Sequence, residues 1–164
     1  MSTHFFDTNF WLTSGSIAVL LTVSGFFSGS ETALTAASRG KLRSQSDRGS
    51  KGAQAALRVT EDSEKMIGAL LLGNNVVNIL AASLATALLT RLFGDSGVAF
   101  ATLGMTVLVL VFGEVLPKTV AITFPETFAA RVAPVIQIMI WIFSPIINVV
   151  RLFVRGLLYL FGVR

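Results

Sequence analysis

Cysteine is absent from the 164 residues, and histidine and tyrosine occur once each. No disulfide framework, thiolate metal site or cysteine nucleophile can therefore be built. Charge is also scarce. Asp, Glu, Lys and Arg make up 13% of the chain, about half the share in an average soluble domain. With 53% apolar residues and a mean hydropathy of +0.74, the composition excludes an ordinary soluble domain. Met1–Phe10 contains no Lys or Arg, so it does not read as a cleaved signal peptide. His4 lies on that tail and reads as incidental. No nucleophile–base pair or phosphate loop is evident, so the chain is not read as an enzyme.

What the chain does have is several apolar runs of about the 20 residues that cross a bilayer as helix. They predict three spans in a single domain over 1–164, at about 9–37, 66–93 and 98–117. Trp11 stands where an interfacial anchor would. The connector 38–65 holds Arg39, Lys41, Arg43, Arg48, Lys51, Arg58 and Lys65. It is punctuated by Gly40, Gly49 and Gly52 and is expected to form two short helices. Thr60-Glu61-Asp62-Ser63-Glu64 reads as the capped, acidic start of the second span. The short Gly94-Asp95-Ser96-Gly97 turn, after Arg91, returns the third span antiparallel beside the second. Beyond it, Pro125 and Glu126 suggest a break and a short interfacial helix within 118–131.

The stretch Val132–Val150 is long enough to cross, but Pro134 and Pro145 are expected to interrupt it. Basic residues favour the cytoplasmic side. With 38–65 inside, three crossings leave Lys118 and Arg131 inside, whereas a fourth would carry Arg151, Arg155 and Arg164 outside. A helix lying at the inner interface keeps all of them cytoplasmic. The expected fold is an all-α integral membrane protein with three transmembrane helices, short cytoplasmic-side helices and a juxtamembrane segment over 118–164. Its N-terminus would be outside and its C-terminus cytoplasmic, in a cell (inner or plasma) membrane. The net charge of +4 then reads as an orientation signal and not as a nucleic-acid surface.

Three polar groupings interrupt the spans. In the first, Ser24, Ser28 and Glu31 follow at i, i+4 and i+7 on one helix face, and Gly25 and Gly29 allow close approach of another helix. Alternatively the serines bond back to their own helix and the glycines only pack. In the second, Asn74, Asn75 and Asn78 offer neutral oxygen ligands, or serve as interhelical glue. In the third, Phe112-Gly113-Glu114-Val115-Leu116-Pro117-Lys118 puts a carboxylate at membrane depth, which is costly and by default functional. Pro117 cannot donate to the carbonyl four residues back, that of Gly113. Glu114 and Lys118, at i and i+4, can also simply pair with each other. At about 1.5 Å per residue, all three groupings fall between the midplane and the inner face of a core about 30 Å thick. Oxygen-only sites suit Mg²⁺, Ca²⁺ or Na⁺, and a modest charge count favours release as well as binding.

At these residues the sequence resembles the transmembrane domain of the CNNM/CorC family of magnesium transporters. The resemblance is carried by Ser24-Gly-Phe-Phe-Ser-Gly-Ser-Glu31, Gly73-Asn-Asn-Val-Val-Asn78 and Gly113-Glu-Val-Leu-Pro-Lys118, in that order, and covers nearly the whole chain. It implies a three-span domain with a belt-like juxtamembrane helix, working as a homodimer in the lipid bilayer. Each subunit would bind a largely dehydrated Mg²⁺ between its own spans. Carried over by position, the implied ligands are Ser24, Ser28, Asn75, Gly113 through its carbonyl, and Glu114. Asn74, Asn78, Pro117 and Lys118 would support the site or line the pathway, and Glu31 would be an exit-side acid. Family members usually continue into a cytosolic pair of CBS domains, which this sequence does not contain. The expected function is Mg²⁺ transport, outward and in exchange for Na⁺. The competing readings are a membrane anchor or sensor with a structural cation, and a small proton-coupled exporter.

Overall fold

The computed structural model describes residues 7–163; His4 and Arg164 lie outside the described residues. The described residues form helices joined by short links: α1 Thr8–Ala36, α2 Arg39–Asp47, α3 Lys51–Glu61, α4 Ser63–Phe93, α5 Ser96–Leu108, a π-helical stretch Val109–Val115, α6 Leu116–Thr123 and α7 Pro125–Leu160. Side-chain caps start the first four. Asp7 accepts from the Phe10 amide, Ser38 from Lys41, Ser50 from Ala53 and Asp62 from Lys65. Each satisfies a backbone donor that the helix start leaves unpaired. The α4–α5 hairpin closes tightly because Gly94 adopts a positive φ of 66° and Gly97 sits against the backbone of Leu89 and Thr90, where a Cβ would collide.

The predicted spans correspond to α1, to α4, and to α5 with the π stretch and α6, and the connector folds as the two expected short helices. Pro134 and Pro145 do not interrupt the last segment as expected. The short interfacial helix expected within 118–131 is instead the start of α7, which runs unbroken for 36 residues through both prolines. A proline removes one hydrogen bond and leaves bare the carbonyl four residues back. For Pro134 that residue is Ala130, and Gly52 of α3 packs directly against its carbonyl. Tertiary contact thus covers the defect. Among the described residues, four helical stretches, one more than the three expected, are therefore long and apolar enough to cross a membrane: 8–36, 63–93, 96–123 and 125–160. Much of their surface is exposed aliphatic and aromatic side chain, as a bilayer requires of multi-pass proteins.

The interior forms two clusters. Near the α4–α5 turn, Leu21, Ala81, Ala85, Ala101 and Met105 pack together. At the connector end, Phe27, Leu34, Leu42, Met66 and Leu70 pack with Ala129, Ala133 and Ile136 of α7. All the α7 residues in these clusters belong to the second one. Polar anchors tie α7 to the connector at two places. Glu126 accepts from the Ser38 amide at 3.1 Å and faces Lys41 at 3.9 Å. Arg151 meets Asp62 at 3.0 Å and Glu64 at 3.4 Å. At the opposite end, Arg91 pairs with Asp7 at 2.8 Å, fixing α4 against α1.

The Asp62 carboxyl is held below its ordinary 3.8, first by the Lys65 amide it caps and then by the Arg151 guanidinium, against some desolvation. A depressed carboxylate stabilises the fold above its unfolded value and loses that contribution as pH falls through the folded one. Amide protection factors at Lys65 and around Arg151, which are corrected for the intrinsic pH dependence of exchange, should therefore hold above pH 3.8 and fall below it. Unchanged protection across that interval would remove Asp62 as the anchor.

Candidate cation site

Hydroxyl groups in apolar helices usually bond back to the carbonyl four residues earlier. Ser16, Thr22 and Ser30 of α1 do so, to Leu12, Ala18 and Phe26, as do Ser83 and Thr86 of α4. Ser24 and Ser28 do not. Ser24 is fully buried and donates across to Asn74 Oδ1 of α4 at 2.9 Å. Ser28, one turn away and 1% exposed, has a buried Oγ with no hydrogen-bond partner. An unpartnered buried hydroxyl costs about 1–3 kcal/mol, so it calls for a physical reason.

Asn74 is the hub. Its oxygen also accepts from Asn78 Nδ2 at 3.3 Å, and its own Nδ2 donates to Glu114 Oε1 at 3.3 Å. The other carboxylate oxygen, Oε2, lies 3.1 Å from Lys118 Nζ. One connected path thus joins α1, α4 and the π stretch: Ser24 to Asn74 to Glu114 to Lys118. The serine back-bonding alternative fails for the two positions that matter, while the Glu114–Lys118 pairing is present. Asn78 Oδ1 is a second buried acceptor with no partner.

The sequence brings these groups together through small residues. Gly113 is buried against Ser24; a Cβ there would stand 2.9 Å from Ser24 Oγ. A Cβ on Gly25 would lie 3.0 Å from the Phe112 carbonyl and from Pro117 Cγ, and one on Gly73 would strike the Phe27 ring at 2.6 Å. The helices approach as closely as glycine allows. Pro117 shapes the backbone as well. In place of i→i−4 bonding, the turn before it widens, and the Leu116 amide bonds to Val111, five residues back. Such π-bulges gather at functional sites. Here the bulge carries Gly113 against Ser24 of α1 and Glu114 against Asn74 of α4.

Not every predicted residue joins the group. Asn75 is exposed on the single chain, whereas its neighbour Asn74 is 9% exposed and central. Glu31 is half-buried beyond Ser28 and makes no hydrogen bond or ion pair. Sequence reasoning gave Asn74 a supporting part, although a signal for its centrality was present. The buried positions Met66, Ala69, Leu70, Gly73, Asn74, Ala81 and Ala85 form one helical stripe that includes Asn74 and leaves Asn75 off it. Among the described residues, no three His, Cys, Asp or Glu side chains cluster. Glu114 is accordingly the one carboxylate in the network, among neutral oxygens. That donor set suits a hard cation.

The sequence profile of the family described as the cyclin M transmembrane N-terminal domain matches residues 16–164. A UPF0053 protein of Haemophilus influenzae is 36% identical over 148 residues, which is 90% of this chain and 35% of that protein. The UPF0053 inner membrane protein YfjD of Escherichia coli is 37% identical over 142 residues, 87% of this chain and 33% of its own length. A chloroplastic DUF21 domain-containing protein of Arabidopsis thaliana is 34% identical over 149 residues, 90% of this chain and 22% of its own. The chain therefore spans about a third or less of the length of these relatives.

Proposed function

The chain belongs to the cyclin M transmembrane N-terminal domain family, and from that premise we propose that it carries Mg²⁺ across the membrane through the site between α1, α4 and the π stretch. The observation that carries this reading is the buried, unpartnered Ser28 hydroxyl one turn from the Ser24–Asn74–Glu114 path. Packing alone gives no reason to leave that hydroxyl unsatisfied, and a cation ligand does. Ser24, Ser28, the Gly113 carbonyl and Glu114 supply the ligands. Geometry favours Asn74 over Asn75 for the carboxamide, which would turn its oxygen to the ion. Asn75 then faces lipid or a second subunit of a homodimer.

In the same reading α7 does not cross. Its two anchors, at Glu126 and Arg151, both reach the connector end of the bundle. They are 25 residues apart, about 37 Å of helix. A crossing helix would carry one of them to the opposite face. The domain then has three spans and a belt helix, with the basic connector cytoplasmic and the N-terminus outside. Transport is outward and coupled to Na⁺. Movement of the ion needs the site to open to each side in turn, and the π stretch is the place where the span flexes.

The test is Mg²⁺ flux in proteoliposomes containing the full-length protein. Flux that falls at least about tenfold on Ser28→Ala is expected. Saturable Mg²⁺ binding without any flux would replace the transporter with a sensor that holds a structural ion. Calorimetry on Asn74→Ala beside Asn75→Ala separates the two carboxamides, with the larger loss of Mg²⁺ heat expected in the first.

A further inference from the structure

A second feature lies away from the cation site. Between the first turns of α4 and the last third of α7 runs a groove of about 630 Å³, walled by Ile67, Leu71, Leu72, Ile146, Val150 and Val154. Gly68 lies on the α4 wall, where a Cβ would make ordinary van der Waals contact with Ile147. From Glu64 to Leu72 the α4 wall extends about 12 Å. Its polar end is asymmetric. Arg151 is committed to Asp62 and Glu64, and Lys65 lies close enough to Asp62 to act on its charge. Arg155 lines the same end, is exposed, and has no acidic partner. Two acids thus face three bases, and the surplus positive charge sits at the mouth of an apolar slot.

We infer that this groove holds one anionic phospholipid, its acyl chain along α4 and its phosphate on Arg155. Apolar walls alone would accept any lipid. The uncompensated guanidinium at the level where α4 begins selects a negative headgroup, as basic pockets beside helices do at cytoplasmic surfaces. Arg forms paired hydrogen bonds to phosphate oxygens, and Arg151, already occupied, fixes the α7 backbone that presents Arg155.

The experiment places the chain in phosphatidylcholine nanodiscs doped with spin-labelled phosphatidylglycerol or spin-labelled phosphatidylcholine, and measures the immobilised fraction of each. The wild type should retain phosphatidylglycerol about fivefold better, the gain expected of one basic group near the headgroups. R155Q should bring that ratio close to unity, and R155K should keep most of it. R58Q, at an exposed position of α3, should leave it unchanged. An equal loss in R58Q would show general surface attraction and overturn the site, as would full preference in R155Q. Displacement by glycerol phosphate would assign the site to free phosphate instead of lipid. Efficient interchain disulfide formation by V154C would place a second copy of the chain in the groove and exclude the lipid.

Discussion

Glu114→Gln should lower Mg²⁺ affinity by about a hundredfold or more, read by calorimetry on the purified protein; that factor corresponds to about 2.8 kcal/mol. The size follows from the charge inventory. Glu114 is the one carboxylate among Ser24, Asn74 and Asn78, and its two oxygens are held by the Asn74 amide and the Lys118 ammonium. A divalent cation in this network has no other formal negative charge to meet. The double variant E114Q/K118M distinguishes ligand from counter-ion. If Glu114 merely neutralised Lys118, removing both would restore binding. If Glu114 is a ligand, the double variant stays as weak as the single one. Recovery to wild-type affinity would remove Glu114 from the ligand set.

Pro117→Ala should separate stability from binding. Alanine can donate to the carbonyl four residues back, so the wide turn at Val109–Val115 can close to an ordinary α-helix. A proline within a helix costs about 3 kcal/mol relative to alanine, and part of this should return as a higher melting temperature. The loss of Pro117 Cγ from its contact over Gly25 offsets some of the gain. Closing the bulge removes one residue of offset, which rotates Gly113 and Glu114 by roughly 100° relative to α6. The carboxylate then leaves Asn74, and Mg²⁺ affinity should fall at least about tenfold while the chain becomes more heat-stable. A variant both stable and fully competent to bind would mean that the bulge does not set the site.

The helices were legible because apolar length and polar punctuation act locally. Asp62 ahead of Ser63, Gly94 in its turn and the small, capped helices of the connector each follow from near-neighbour chemistry. The site was legible as three groups sharing one depth, since rise per residue converts sequence position into height. Azimuth was harder. Asn74 and Asn75 differ by about 100° around α4, and only the Ala/Gly stripe on its buried side separates them. The π register was hidden for another reason. Pro117 announces a missing donor, but whether the helix breaks, kinks or widens depends on Gly25 and Ser24 pressing from α1. The continuity of α7 was hidden likewise, because the contact that covers the bare Ala130 carbonyl comes from Gly52, far away in sequence.

That contact has a mechanical consequence. A helix is stiff where its hydrogen bonds are complete and compliant where one is missing, and α7 has such a place at each proline. Its Glu126 end is tied to the foot of α1 and its Arg151 region to the foot of α4. When the feet of α1 and α4 move apart or together, α7 can absorb the change as curvature at Pro134 and Pro145 without releasing either tie. The two helices that contribute Ser24 and Asn74 are thus joined by a spring and not by a strut. The resistance to parting Ser24 from Asn74 is set partly by Pro134 and Pro145, neither of which touches that hydrogen-bonded path.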